Sequence, residues 1–137
     1  MSYAGDVSPQ EAYAALTSDP QALLVDVRTR AEWTFVGVPD LAQSGRRVHL
    51  VEWSSFPDGV VNPRFTEEVR EAGATPGRPV YLLCRSGARS TSAAEALTAA
   101  GLGPAYNVLE GFEGAPDERR HRSVAGWKNA GLPWVQG

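Results

Sequence analysis

Pro79-Val80-Tyr81-Leu82-Leu83-Cys84-Arg85-Ser86-Gly87-Ala88-Arg89-Ser90 is the stretch on which the fold turns. Its first six residues are an apolar run with no polar face, as expected for a strand buried on both sides. From Ala88 to Ala100 the chain is alanine-rich and stops at Gly101, which predicts a helix. Only a tight turn joins the two. A helix entered this way points its first amides, and the positive end of its dipole, back at the turn. Gly87 relaxes the φ restriction that such a curl imposes. In that field, with Arg85 and Arg89 close in sequence, Cys84 is favoured as thiolate over thiol. Cys84 is therefore the candidate nucleophile, and Arg85, Ser86, Gly87, Ala88, Arg89 and Ser90 are the candidate substrate-binding residues. The plainer alternative, a small apolar residue closing a strand, gives no reason for two arginines and a glycine in the next five residues.

Outward from this unit, strands and helices alternate. Ser8, Pro9 and Glu11 form a capping box that opens a helix running to about Thr17. Ala22 to Val27 is a short, buried strand ending in charge at Arg28, and Val48 to Trp53 is a second strand candidate. Asn62 and Pro63 lead a helix to Arg70, Tyr106 to Leu109 gives another strand, and Val124 to Ala130 a closing helix stopped by Gly131 ahead of Pro133. This alternation implies right-handed crossovers and an α/β fold of three layers, a central parallel sheet with helices on both faces. Residues 37–47 and Gly111 to Arg122 are the least regular stretches, and ligands of such sheets sit beyond the carboxyl ends of the strands.

The 137 residues, 42% hydrophobic and 21% charged, fit one domain over 1–137 with a single core. A net charge of −3, from 13 basic and 16 acidic residues without long runs, shows no nucleic-acid or membrane footprint. There is no stretch of about 20 apolar residues, and the first residues lack a basic and apolar leader pattern, so a cytoplasmic location is expected. A single cysteine excludes an internal disulfide. Two histidines and one cysteine, without carboxylates at ligand spacing, supply no zinc site, so neither metal nor cofactor is expected. His49 reads as a strand residue and His121 as part of a solvated basic connection that could still touch substrate. A Cys–His nucleophile pair is not required.

Cys84-Arg85-Ser86-Gly87-Ala88-Arg89 resembles the six-residue active-site loop of the rhodanese-like family. Leu24-Val25-Asp26-Val27-Arg28 followed by Glu32-Trp33 is similar to that family's early strand end, and Asn107-Val108-Leu109-Glu110-Gly111-Phe112 to its late strand and glycine turn. Gly126 to Trp134 is also similar, so the likeness runs from about Ser8 to Trp134. It implies a rhodanese-like domain with a parallel sheet of about five strands. It also implies a sulfurtransferase in which the matching Cys84 takes sulfane sulfur as a persulfide and passes it to a thiophilic acceptor. Two loop arginines favour a small sulfur-containing anion such as thiosulfate as donor, and a thiol or cyanide-like molecule is the expected acceptor. Where family members often carry Gly-His-Ile, this chain has Val36-Gly37-Val38-Pro39, and the histidine is missing.

Two other functions compete. Related Cys-based phosphatases and arsenate reductases place five residues between cysteine and arginine, whereas Cys84 and Arg89 enclose four, with Ser90 where the longer cradle needs its arginine. A non-catalytic binding or regulatory module of the same fold is the other alternative, against which the retained Cys84 and arginines argue. Asp26 and Arg28 are expected to organise loops by charge pairing, with Glu32 or a loop backbone as partner. Trp33, Trp53, Trp127, Trp134 and Phe112 are expected to pack.

Overall fold

The structure, a computed structural model, describes residues 2–55, 58–115, 118–119, 121–122 and 125–136. Five strands form one parallel sheet: β1 (Gly5–Val7), β2 (Leu23–Asp26), β4 (His49–Leu50), β5 (Pro76–Leu83) and β6 (Gly103–Val108), in the order β1-β6-β5-β2-β4. The helices are α1 (Pro9–Ser18), α2 (Arg30–Phe35), α3 (Phe65–Glu71) and α4 (Ala88–Ala99). A small antiparallel pair, β3 (Val38–Pro39) with β7 (Trp134–Val135), lies outside the main sheet. Because side chains alternate along a strand, β2 sends Leu23 and Val25 to one face and Leu24 to the other. Leu23 and Val25 pack with Phe65 and Val69 of α3 and with Ala93, Ala94 and Leu97 of α4. Leu24, with Tyr81 and Leu83, packs on Ala12 and Leu16 of α1 and on Phe112 and Trp127. Both faces are thus covered, the three-layer arrangement expected for a parallel sheet. Among the described residues no helix is long and apolar enough to cross a membrane.

The capping box at Ser8 forms as its spacing predicts: Ser8 Oγ accepts from the Glu11 amide at 3.0 Å, and a Glu11 carboxylate oxygen accepts from the Ser8 amide at 2.9 Å. The segment 62–64 is a turn before α3 rather than its first residues, with Asn62 Oδ1 accepting from the Arg64 amide. The strand expected over Val48–Trp53 is regular only at His49–Leu50, though the Val51 and Trp53 amides still bond to carbonyls of Asp26 and Val27.

The closing helix expected over Val124–Ala130 is corrected. Val124 lies outside the described residues, and from Ala125 to Gly131 the chain makes bends and turns. The reason is competition for amides. Gly126 N–H donates to the Glu110 carboxylate, Trp127 N–H to the Gly111 carbonyl and Lys128 N–H to the Phe112 carbonyl. Those donors clamp the 110–112 turn instead of reaching four residues back. Trp127 is fully buried edge-on to Tyr13 at 5.6 Å, and its Nε1 donates to Pro133 O.

Candidate active site

β5 delivers Cys84 to the carboxyl edge of the sheet, and the turn 85–87 feeds α4. Gly87 takes φ +124°, a conformation that side chains rarely adopt, and caps the helix. Its N–H donates to Cys84 Sγ at 3.1 Å, and Ser90 Oγ stands 3.2 Å from the same sulfur. Cys84 is 1% exposed, so its thiol is enclosed beneath the loop. Ser90 is itself buried; its hydroxyl is 2.5 Å from Asn107 Oδ1, and Asn107 Nδ2 donates to Asp6 on β1 at 3.0 Å. A chain of hydrogen bonds therefore runs from the sulfur through Ser90 and Asn107 to the sheet edge.

The loop is also held from behind. Phe112 N–H donates to Cys84 O at 2.8 Å, and Glu113 N–H to Arg85 O at 3.0 Å. Gly111, at φ +58°, lies so near that a Cβ there would fall 2.6 Å from the Arg85 carbonyl carbon. The glycine turn after β6 is thus part of the loop's support.

Both loop arginines are paired. Arg89 makes a two-pronged ion pair with Glu32, at 2.7 and 2.9 Å. Glu32 is also the capping-box residue of α2, accepting from the Thr29 amide at 3.0 Å. Burial works against ionisation of Glu32, but the Arg89 guanidinium and the Thr29 amide hold its carboxyl down at about 2. In return the Glu32 carboxylate, against the cost of burial, raises the pKa of Arg89 above its ordinary value. Arg85 is half exposed, with its Nε 3.4 Å from Glu113. Ser86 and Ala88 are exposed on the loop. A cleft of about 460 Å³ opens beside it, lined by Glu32, Phe35, Ser54, Arg85, Arg89 and Glu113 among others.

Asp26 and Arg28 pair with each other at 2.7 Å, both fully buried, and Arg28 also donates to Gly37 O at 2.6 Å. The guanidinium lies over the Phe112 ring, 4.2 Å from its centre. Here the sequence expectation holds in kind, since the pair organises a loop, but the loop is the segment entering β3 and the partner is not Glu32. Phe112 is buried packing. His49 lines a separate cleft with Arg46, Arg47 and Arg78, where β2 and β5 begin, away from Cys84. Burial, then Arg47, Arg78 and Arg46, lower its pKa. His121 is exposed and is not among the residues lining the cleft beside the loop. Sequence reasoning did not single out Glu113 or Asn107. It met Glu32 in the family-like segment and as a partner for Asp26 or Arg28, never for Arg89, although Thr29-x-x-Glu32 carries the capping-box pattern that would have marked α2.

A parallel five-stranded sheet with a cysteine loop poised between its central strand and a helix defines a rhodanese-like domain. The chain belongs to that family: the STR4 middle domain matches residues 4–137. A crystal structure of Rv0390 from M. tuberculosis is similar at 54% identity and TM-score 0.91, covering 99% of this chain and 100% of that one. Protein RC0915 of Rickettsia conorii is 35% identical over 135 residues, 94% of this chain and 95% of its own length. The solution structure of a polysulfide-sulfur transferase homodimer from Wolinella succinogenes shares the fold at 24% identity and TM-score 0.63, over 96% of this chain and 77% of that one.

Proposed function

We propose that the protein is a sulfurtransferase in which Cys84 carries sulfane sulfur as a persulfide. The observation that carries this is the setting of Cys84 Sγ, which receives the Gly87 amide at 3.1 Å, stands 3.2 Å from Ser90 Oγ and lies at the entrance of α4. The Gly87 amide and the helix dipole, both aimed at one sulfur, stabilise negative charge there without a general base. The thiolate attacks the outer sulfur of a donor, the donor's bond to that sulfur breaks, and its electron pair leaves with the donor residue. The outer sulfur of the resulting persulfide is then attacked by an acceptor thiol or cyanide, which restores the thiolate. Ser86 and Ala88, on the loop, and the amides beyond Gly87 are the groups nearest the transferred atom in sequence.

Phosphate hydrolysis is a poorer fit, because Arg89 is drawn to Glu32 by both of its terminal nitrogens. One observation favours a non-catalytic partner-binding domain, namely the 1% exposure of Cys84. Cyanolysis decides between them. After incubation with a sulfane-sulfur donor, the wild-type protein is expected to release about one equivalent of thiocyanate and Cys84→Ser none. Absence of cyanolysable sulfur on the wild type under every donor would leave the binding module as the function.

A further inference from the structure

Among the described residues, the charged groups lining the cleft beside the loop are Glu32, Arg85, Arg89 and Glu113, two of each sign. A dianion such as thiosulfate entering it gains no net attraction and meets Glu113 next to Arg85. The two ion pairs are held differently. Freeing Arg89 would break both of its bonds to Glu32, the residue that also caps α2. The Arg85 and Glu113 side chains meet at one contact of 3.4 Å, 48% and 16% exposed, so Arg85 can swing into solvent with the loss of that contact alone, and the Glu113 carboxylate then calls for another cation. Once apart, the pair presents one guanidinium and one carboxylate to a ligand. The same cleft is lined by the hydroxyl residues Ser54 and Ser55 and the apolar Ala31, Phe35 and Val36. A cleft of about 460 Å³ with such walls has room for a small organic molecule.

We infer that the sulfur donor of this site is a zwitterionic organic persulfide of the amino-acid thiol kind, its ammonium taken by Glu113 and its carboxylate by Arg85. This rests on the sulfur-transfer function proposed above. The Cys84 thiolate attacks the outer sulfur of R–S–S–H, so that a bond forms between Sγ and that sulfur while the donor's S–S bond breaks. The electron pair of the broken bond leaves as R–S⁻, and the hydrogen travels with the outer sulfur to give Cys84–S–S–H. No oxidant or reductant enters. Glu113 and Arg85 act as specificity-determining residues, while the Arg89–Glu32 pair stays closed and supports the loop.

The test offers three donors to the full chain: cysteine persulfide and its amine-free analogue 3-mercaptopropionate persulfide, both generated in situ, and thiosulfate. Mass spectrometry follows the gain of one sulfur atom on Cys84. The wild type is expected to load from cysteine persulfide about tenfold or more faster than from either other donor, the factor set by one charge-assisted contact. Glu113→Gln, with an unchanged thermal midpoint, is expected to lose most of the preference for the amine and to gain on thiosulfate. Wild-type loading from thiosulfate at an equal or greater rate would overturn the inference, and so would an amine preference that survives Glu113→Gln. Loading from none of the three would instead remove the sulfur-transfer function itself.

Discussion

Replacing Glu32 with Gln removes the carboxylate shared by the α2 cap and Arg89, and the cost should depend on pH in a definite direction. In the folded chain this carboxyl is held at about 2 against an ordinary 4.5, burial being outweighed by the Arg89 guanidinium and the Thr29 amide. Because the folded value is the lower one, the unfolded chain takes up the proton first as pH falls. The stabilisation is therefore fully present above about pH 4.5 and drains away toward pH 2. The gap between the two values, at about 1.4 kcal/mol per pH unit, sets a ceiling of roughly 3.4 kcal/mol. The Arg89 and Glu32 side chains are 26% and 19% exposed. Solvent screening then brings the expected figure to about 1–2 kcal/mol. Urea unfolding of wild type and Glu32→Gln at pH 7 and at pH 3 measures it. The variant should be the less stable at pH 7 by that amount, with the difference falling to about half or less at pH 3. An equal difference at both pH values would show that the charge of Glu32 is not what stabilises the loop.

Arg28→Met leaves the Asp26 carboxylate buried without its counter-ion and should cost about 3–5 kcal/mol in denaturant unfolding. The double variant Asp26→Leu/Arg28→Met should recover part of that loss, and a single-variant cost below about 1 kcal/mol would contradict the burial argument. Gly111→Ala forces a methyl against the Arg85 backbone at a positive φ and should cost at least about 2 kcal/mol while lowering sulfur loading. A stable, fully active variant would mean that the glycine turn does not hold the loop. Ser90→Ala strips a buried partner from both Asn107 and Cys84 and should cost about 1–3 kcal/mol, read as a shift in thermal midpoint, with slower loading of Cys84. Unaltered loading would confine Ser90 to packing.

What the sequence made legible followed local rules strong enough to act alone. The apolar run at Val80–Leu83, the alanine-rich α4 and the Ser8 box each carry their own signal. The placement of Cys84 at a strand-to-helix turn came from the same reasoning. Elements that exist only through distant partners were harder to find. β1 is a three-residue strand paired with β6, β3 and β7 are two residues each, and none has a period to read. The segment Ala125–Gly131 has helical composition, yet the Trp127 and Lys128 amides are claimed by carbonyls sixteen residues earlier and the Gly126 amide by the Glu110 carboxylate, a tertiary demand that local propensity cannot express. The ion-pair partners of the loop arginines were out of reach for a similar reason. Arg85 and Arg89 stand beside Cys84 in sequence, whereas Glu113 and Glu32 reach them only through the fold.

The hydrogen-bond chain behind Cys84 bears on the order in which the site is assembled. Its last link joins Asn107 to Asp6 across 101 positions of sequence. Among the described residues β1 has no sheet neighbour but β6, so Asp6 cannot find its place until residues 103–108 exist and have joined β5. During synthesis the first strand made must therefore wait for one of the last, and closing so long a loop comes late in folding. A nascent chain can hold β2, β5 and the cysteine loop in register while Asn107 Nδ2 still lacks its acceptor. The surroundings of Cys84 are completed only when the two ends of the chain meet, and removal of residues 1–7 would leave a folded-looking sheet with an open edge at β6 and an unfinished shell around the sulfur.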